Sequence, residues 1–271
     1  MSEHTEILSA TAAAAGERWR PSLRFLAVWR RHFLVWRKLL WSAIIGNFGE
    51  PLFYLLALGY GLGRFVGELE GLPYLVFLAS GTVCSSAMMA AAFEATFSAY
   101  TRLDYQQTWM AMLTAPLAVE DVVLGEVVWA ATKASFAAVP ILLVAALLGL
   151  TAGWGALWVV PLVLLTALCF AALAMCVTVV ARSYDYFTYL ITLLLTPMML
   201  LSGVFFPLSE LPAALQGVVW LLPLAHAVAL IRPLMTGGEL GHVLLHLAVL
   251  AGYTVVAFGL AVRLARRRLM S

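Results

Sequence analysis

Six long apolar stretches, at 41–63, 74–99, 122–150, 157–181, 187–206 and 243–264, divide the chain. Each holds about 20 or more mostly uncharged residues, enough to cross a hydrocarbon core of about 30 Å at ~1.5 Å per residue. The pattern predicts an all-α integral membrane protein with six transmembrane helices. Cations are sorted between the intervening segments. Seven Lys and Arg precede the first span. Arg102 follows the second, Arg182 follows the fourth, and Arg263, Arg266, Arg267 and Arg268 lie at the C-terminal end. The alternate gaps hold only Arg64 and Arg232, and Lys133 lies inside the third span. The cation-rich side is expected to be cytoplasmic, with both termini there.

Residues 1–21 are polar and Ala/Thr-rich and are expected to form a mobile cytoplasmic tail. They contain no apolar signal-peptide core, so the first span is expected to stay as an anchor. Over 22–40, Phe25, Trp29, Phe33, Trp36 and Leu40 recur on one helical stripe, with Arg24, Arg31 and Lys38 on another side. This basic amphipathic helix with a Trp-rich face is read as lying in the membrane interface, the alternative being a helix packed on the protein surface. Residues 41–268 form a single membrane domain.

The longest inner loop runs over 100–121. Its apolar cluster Trp109, Met110, Ala111, Met112 and Leu113 precedes Thr114, Ala115 and Pro116. A short helix with an exposed greasy face marks a protein contact, or else lies flat on the bilayer. After the fifth span the chain stays apolar but is cut by Pro207, Pro212, Pro223 and Pro233. The pieces 211–222 and 225–231 are too short to span. One extra crossing would put the C-terminal arginines outside, so these pieces either re-enter the membrane or lie on its outer surface.

Charges inside spans default to functional hypotheses. Glu50, Glu94 and Glu126 fall at similar depth on the cytoplasmic side. Lys133 lies seven residues past Glu126, about 10 Å deeper, and is expected to pair with one of the three as the only cation embedded there. Two readings stand: a polar lining that admits a headgroup, together with Phe53 and Tyr54, or an inter-helix salt bridge. His242 and His246 share a helix face, but no third metal ligand lies nearby in sequence.

Composition agrees with one membrane domain. Hydrophobic residues make up 63% of the 271 and charged residues 11%, against about a quarter charged in soluble domains. The basic clusters read as topology anchors and not as a nucleic-acid surface. Cys84, Cys169 and Cys176 all lie in apolar spans and read as small core residues. The chain has no phosphate-binding G-x-x-x-x-G-K-[ST] loop, no H-E-x-x-H and no G-x-S-x-G. It is therefore expected to be no enzyme, with no cofactor or metal of its own.

Several stretches carry a family likeness. They are Glu50-Pro51-Leu52-Phe53-Tyr54, Phe93-Glu94-Ala95-Thr96 with Thr101-Arg102, and Thr108-Trp109 through Ala115-Pro116-Leu117. Further on come Ser183-Tyr184-Asp185-Tyr186-Phe187, Ser202-Gly203-Val204-Phe205-Phe206-Pro207, and Leu222-Pro223-Leu224-Ala225-His226 with Ile231-Arg232-Pro233. In these the chain resembles the type-2 exporter class of ABC transporter permeases, nodulation-protein J subfamily. The resemblance implies a homodimer in the bacterial inner membrane, docked to a separate ABC ATPase subunit that binds the ATP. It implies that Trp109–Pro116 is the ATPase-coupling helix, with Trp109, Met110, Met112, Leu113, Ala115 and Pro116 its contact residues. The basic helix would be the interfacial elbow, and the segment holding Pro207, Pro212, Pro223, Arg232 and Pro233 the re-entrant pair. The implied cargo is a lipid-linked oligosaccharide, a lipo-chitooligosaccharide. Another polysaccharide, lipid or drug-like amphiphile is the alternative, with a secondary transporter or an intramembrane enzyme ranked behind it.

Overall fold

The computed structural model describes residues 23–39 and 61–270, together with Phe53, Leu56, Ala57 and Gly59. The tail 1–21, almost all of the expected first span, Glu50 and Tyr54 lie outside the described residues. Phe53 is described and exposed.

Helix α1 (Phe25–Trp36) continues into a 3-10 turn over Arg37–Leu39. A one-turn helix α2 (Gly63–Val66) leads to a two-residue hairpin, β1 (Glu68–Leu69) and β2 (Leu72–Pro73), with Glu68 opposite Pro73. Glu70 and Gly71 both take positive φ at its turn, as a tight primed hairpin requires. Then come α3 (Tyr74–Tyr105), α4 (Thr108–Leu113), α5 (Val119–Leu147), α6 (Val159–Thr178, entered through a 3-10 turn at Gly153–Trp158) and α7 (Asp185–Leu201). Helices α8 (Ala213–Val219), α9 (Pro223–Thr236) and α10 (Val243–Met270) complete the order.

Among the described residues, α3, α5, α6 with its leading turn, and α10 are long and apolar enough to cross a membrane. The chain is an all-α, multi-pass membrane protein. The expected fifth span is shorter than read from sequence: α7 stops at Leu201, and Gly203 with φ +78 turns the chain. In α8 and α9 the proline segment forms two helices bent by 89°. Proline cuts this segment less than its spacing suggests. Pro223 occupies the first turn of α9, where its missing N–H costs nothing. Pro233 stands in the last turn, and α9 runs through it to Thr236.

Small residues set the core. Ala79, Ala87, Ala91, Ala95 and Ala99 of α3 are fully buried, as are Ala130, Ala134 and Ala138 of α5 and Ala167 and Ala171 of α6. In lipid no hydrophobic force draws helices together, so close backbone approach supplies the packing. Two glycines show how close that approach is. A Cβ on Gly81 would stand 2.8 Å from the Val204 Cα, and one on Gly125 would stand 2.5 Å from the Val28 Cβ.

That second contact decides where α1 sits. Val28 and His32 are buried, Phe25, Trp29, Phe33 and Trp36 are half-buried, and the basic face is open. Trp29 Nε1 donates to Thr132 Oγ1 (3.1 Å), and Trp36 stacks on Phe136 at 5.1 Å between centroids. The apolar stripe therefore packs on α5.

Candidate functional site

Where α3, α5, α1 and α4 meet, four ionic side chains are knitted into one cluster. Glu94 and Glu126 are its anions, both almost wholly buried. Arg102 Nη2 stands 2.6 Å from Glu126 Oε2 and 3.0 Å from Glu94 Oε1, and its Nε donates to Glu126 Oε1 at 3.0 Å. Lys133 Nζ reaches Glu94 Oε2 at 2.6 Å. Each carboxylate also accepts an indole N–H at 2.9 Å: Trp129 gives to Glu94, and Trp109 gives to Glu126. His32 Nε2 lies 3.2 Å from Glu126 Oε1.

Local helix geometry makes this convergence. Two π-helical turns, Glu94–Ser98 and Thr101–Tyr105, overwind no residue of α3 but each inserts one extra residue into a turn. Glu94 and Arg102 sit within them, so the turns set the aim of both side chains. The carbonyl of Ala95 in the first π turn accepts the Thr178 hydroxyl of α6 at 2.6 Å, which satisfies a group inside the apolar bundle. On α5, Glu126 and Lys133 are two turns apart on one face, with Trp129 between them in sequence. Two carboxylates facing one guanidinium and one ammonium leave the cluster near neutral before His32 is counted. A paired set of this kind is tolerable in a low-dielectric interior, whereas any single member alone is costly.

This arrangement corrects three expectations. Lys133 does pair with a carboxylate, but it is not the only embedded cation. Arg102, taken from sequence as an inner-loop charge, lies on α3, which continues as helix to Tyr105. Trp109 does not belong to an exposed patch, because its side chain is fully buried and held by Glu126. Within one chain Glu94 and Glu126 present no open lining, and their geometry is that of inter-helix ion pairs. Over 110–116 the exposed residues are Met110, Ala111, Thr114, Ala115 and Pro116, with Met112 and Leu113 half-buried. Arg24 of the segment leading into α1 donates to the Pro116 carbonyl at 3.1 Å, tying the two together.

A second set of contacts braces the same end. Arg268 of α10 donates to Asp104 at 2.7 Å and to the Ala181 carbonyl at 2.8 Å, meeting carbonyls left open past the C-terminus of α6. Arg266 pairs with Glu120. Tyr184 stacks on Tyr105 and shares a hydrogen bond with Thr101 at 2.8 Å. At the other end, Arg232 Nε donates to Ser80 Oγ at 3.0 Å and its Nη2 to the Gly203 carbonyl. His246 pairs with His226 (2.7 Å between Nδ1 atoms) and not with His242, and no group of three metal-ligating side chains occurs among the described residues.

The family profile described as "ABC-2 type transporter" matches residues 24–236. The chain belongs to the ABC-2 type transporter family. Members of this family are the membrane components of transporters and normally work with an ABC ATPase partner. Nodulation protein J of Rhizobium meliloti (strain 1021) is 48% identical over 246 residues, 91% of this chain and 94% of that protein. Nodulation protein J of Rhizobium leguminosarum bv. viciae is 48% identical over 261 residues, 96% and 98% of the two chains. "Inner membrane transport permease YadH" of Escherichia coli (strain K12) is 28% identical over 178 residues, 65% and 68%. The ABC-2 match covers α1 through α9, and so takes in the whole ion cluster.

Neither the π turns nor the Arg102 pairings were legible from hydropathy. One available signal was the pair Glu94 and Arg102, eight residues apart at the end of an apolar run. That spacing puts the two near one face of a helix that continues.

Proposed function

We propose that this ABC-2 chain is the permease subunit of an ATP-driven exporter of an amphiphile with a glycan head, a lipo-chitooligosaccharide or a close chemical relative. Two copies form the membrane pathway, and a separate ATPase subunit docks on the exposed side of α4. Each copy crosses the inner membrane six times, with both termini cytoplasmic. The likeness to two nodulation proteins over more than nine-tenths of the chain supports this class of cargo.

The observation that carries the reading is the bond between Trp109 and Glu126. Through it α4 is tied to α5, and through Arg102 to α3. A push on α4 from a closing ATPase then moves two spans together, and does so without an engine in this chain. A sugar head carries many hydroxyls that are costly to strip of water unless replaced by new partners. An acyl tail prefers to stay in lipid. A dimer seam that opens to the inner leaflet admits both parts, and driven closure carries the head across.

Inside-out vesicles holding this chain and its ATPase test the cargo. ATP is expected to drive a labelled lipo-chitooligosaccharide into a protected state. ATP hydrolysis that proceeds while this compound stays unprotected, and a labelled phospholipid moves instead, would assign the cargo to the lipid alternative.

A further inference from the structure

At the end of the bundle away from α4, one guanidinium makes no ion pair among the described residues, and the acid whose charge reaches it, Glu70, is exposed. Arg232 of α9 is half-buried, with its face 3.6 Å from the Phe77 ring centroid. It gives one N–H to Ser80 Oγ and one to the Gly203 carbonyl. A guanidinium has five N–H donors, so three have no acceptor among the described residues. Every other arginine drawn into the bundle here, Arg102, Arg266 and Arg268, is paired with an acid.

The Ser80 hydroxyl is already committed, donating to the Phe77 carbonyl at 2.7 Å, but that of Ser202 is not. Ser80 and Ser202 are fully buried, and Ser202 Oγ has no hydrogen-bond partner. Ser202 precedes Gly203, whose carbonyl Arg232 already holds. The site lies one to two turns from the start of α3, and about 33 Å of helix separates Ser80 from Arg102. A half-buried cation with no acid in direct contact is costly, and the cost falls when an anion completes it.

We propose that Arg232 is the anchor of an oxyanion site that takes a phosphate-type group in the fork left open by its unused N–H donors. Planar, two-pronged binding of phosphate oxygens is what a guanidinium offers and an ammonium does not. The group is supplied by the headgroup of a phospholipid or by a free small anion, and the test separates the two. It is read on the permease alone, so it stands or falls apart from the choice of cargo and from ATPase docking.

The full-length chain is purified into nanodiscs of phosphatidylcholine with and without phosphatidylglycerol, and phosphatidylglycerol retained per protein is measured by native mass spectrometry. Inorganic phosphate is titrated in the pure phosphatidylcholine discs at fixed ionic strength, with thermal unfolding as readout. Arg232→Lys and Arg232→Gln are carried beside the wild type. Selective retention of phosphatidylglycerol that falls about tenfold in Arg232→Gln, a loss matching one charged hydrogen-bonded contact, assigns a lipid headgroup. A phosphate-dependent rise in unfolding temperature in the wild type, lost in Arg232→Gln, assigns a free anion. If Arg232→Gln does not assemble, Arg232→Lys decides, because it keeps the charge and loses the fork. A wild type indifferent to both ligands, or a lysine variant that responds as the wild type does, overturns the site.

Discussion

Trp109 Nε1 donates to Glu126 Oε1 at 2.9 Å, joining the short helix α4 to the long helix α5 through a fully buried indole. Glu126 is held at the same time by Arg102 from α3, so one carboxylate fixes three elements. A Trp109→Phe change keeps most of the bulk and removes the donor. It is expected to weaken the seating of α4 by about 1–3 kcal/mol, the cost of leaving a buried acceptor short of a donor. Hydrogen exchange should show faster opening of the amides of α4, and each mole of substrate moved should consume more ATP. Unchanged exchange and unchanged coupling would remove Trp109 from the transmission path.

Glu94 sits between Arg102 and Lys133. Glu94→Gln leaves Lys133 with no carboxylate and Arg102 with one, and is expected to cost about 3–5 kcal/mol, as breaking a buried ion pair on one side does. Adding Lys133→Met removes the stranded ammonium, so the double variant should recover part of the loss. Thermal or denaturant unfolding in detergent of the two single variants and the double gives the coupling directly. Strict additivity would mean that the Glu94–Lys133 contact contributes nothing.

Gly125 lets the backbone of α1 lie against α5. A Cβ there would stand 2.5 Å from the Val28 Cβ and 3.0 Å from the Phe25 carbonyl oxygen. Gly125→Val is expected to lift α1 off its seat at a cost of about 1–3 kcal/mol, typical of overpacking. A cysteine placed at Val28, buried in the native chain, should then react with a water-soluble thiol reagent faster than in the Gly125 background. Equal rates would show that α1 is not held by this contact.

The sequence carried a good deal of this. Hydropathy located α3, α5, α6 and α10 to within a few residues at most ends, because a bilayer demands about 20 apolar residues and little else. It placed α1 and α4 as short amphipathic elements and foresaw that Lys133 meets a carboxylate. It misjudged the face of α4, because an exposed greasy patch and a buried anchor have the same composition, and only the Glu126 acceptor separates them. Arg102 was hidden because charge counting treats any cation past a span as a loop residue, whereas π turns carry α3 as helix to Tyr105. Hydropathy overran the end of α7 for a related reason. Gly203 turns the chain at positive φ inside a run that is still apolar.

In the proposed reading, the exposed residues of the α4 region are the surface offered to an ATPase. Met110→Asp together with Ala115→Asp changes two exposed side chains. The yield of ATPase that co-purifies is expected to fall at least about tenfold, as two buried unpaired charges at a contact cost well over 1.4 kcal/mol. The permease itself should keep its unfolding temperature. An undiminished complex would move the docking surface elsewhere.

The central claim is that this ABC-2 chain is driven by a nucleotide-hydrolysing partner seated against α4. A photo-reactive amino acid at position 110, compared with one at position 154, tests it most directly in the assembled complex. Trp154 is exposed and belongs to the connection between α5 and α6, at the other end of the bundle. The account predicts an adduct with the ATPase subunit from position 110 and none from position 154. An adduct from 154, or an intact complex that yields none from 110, would contradict it.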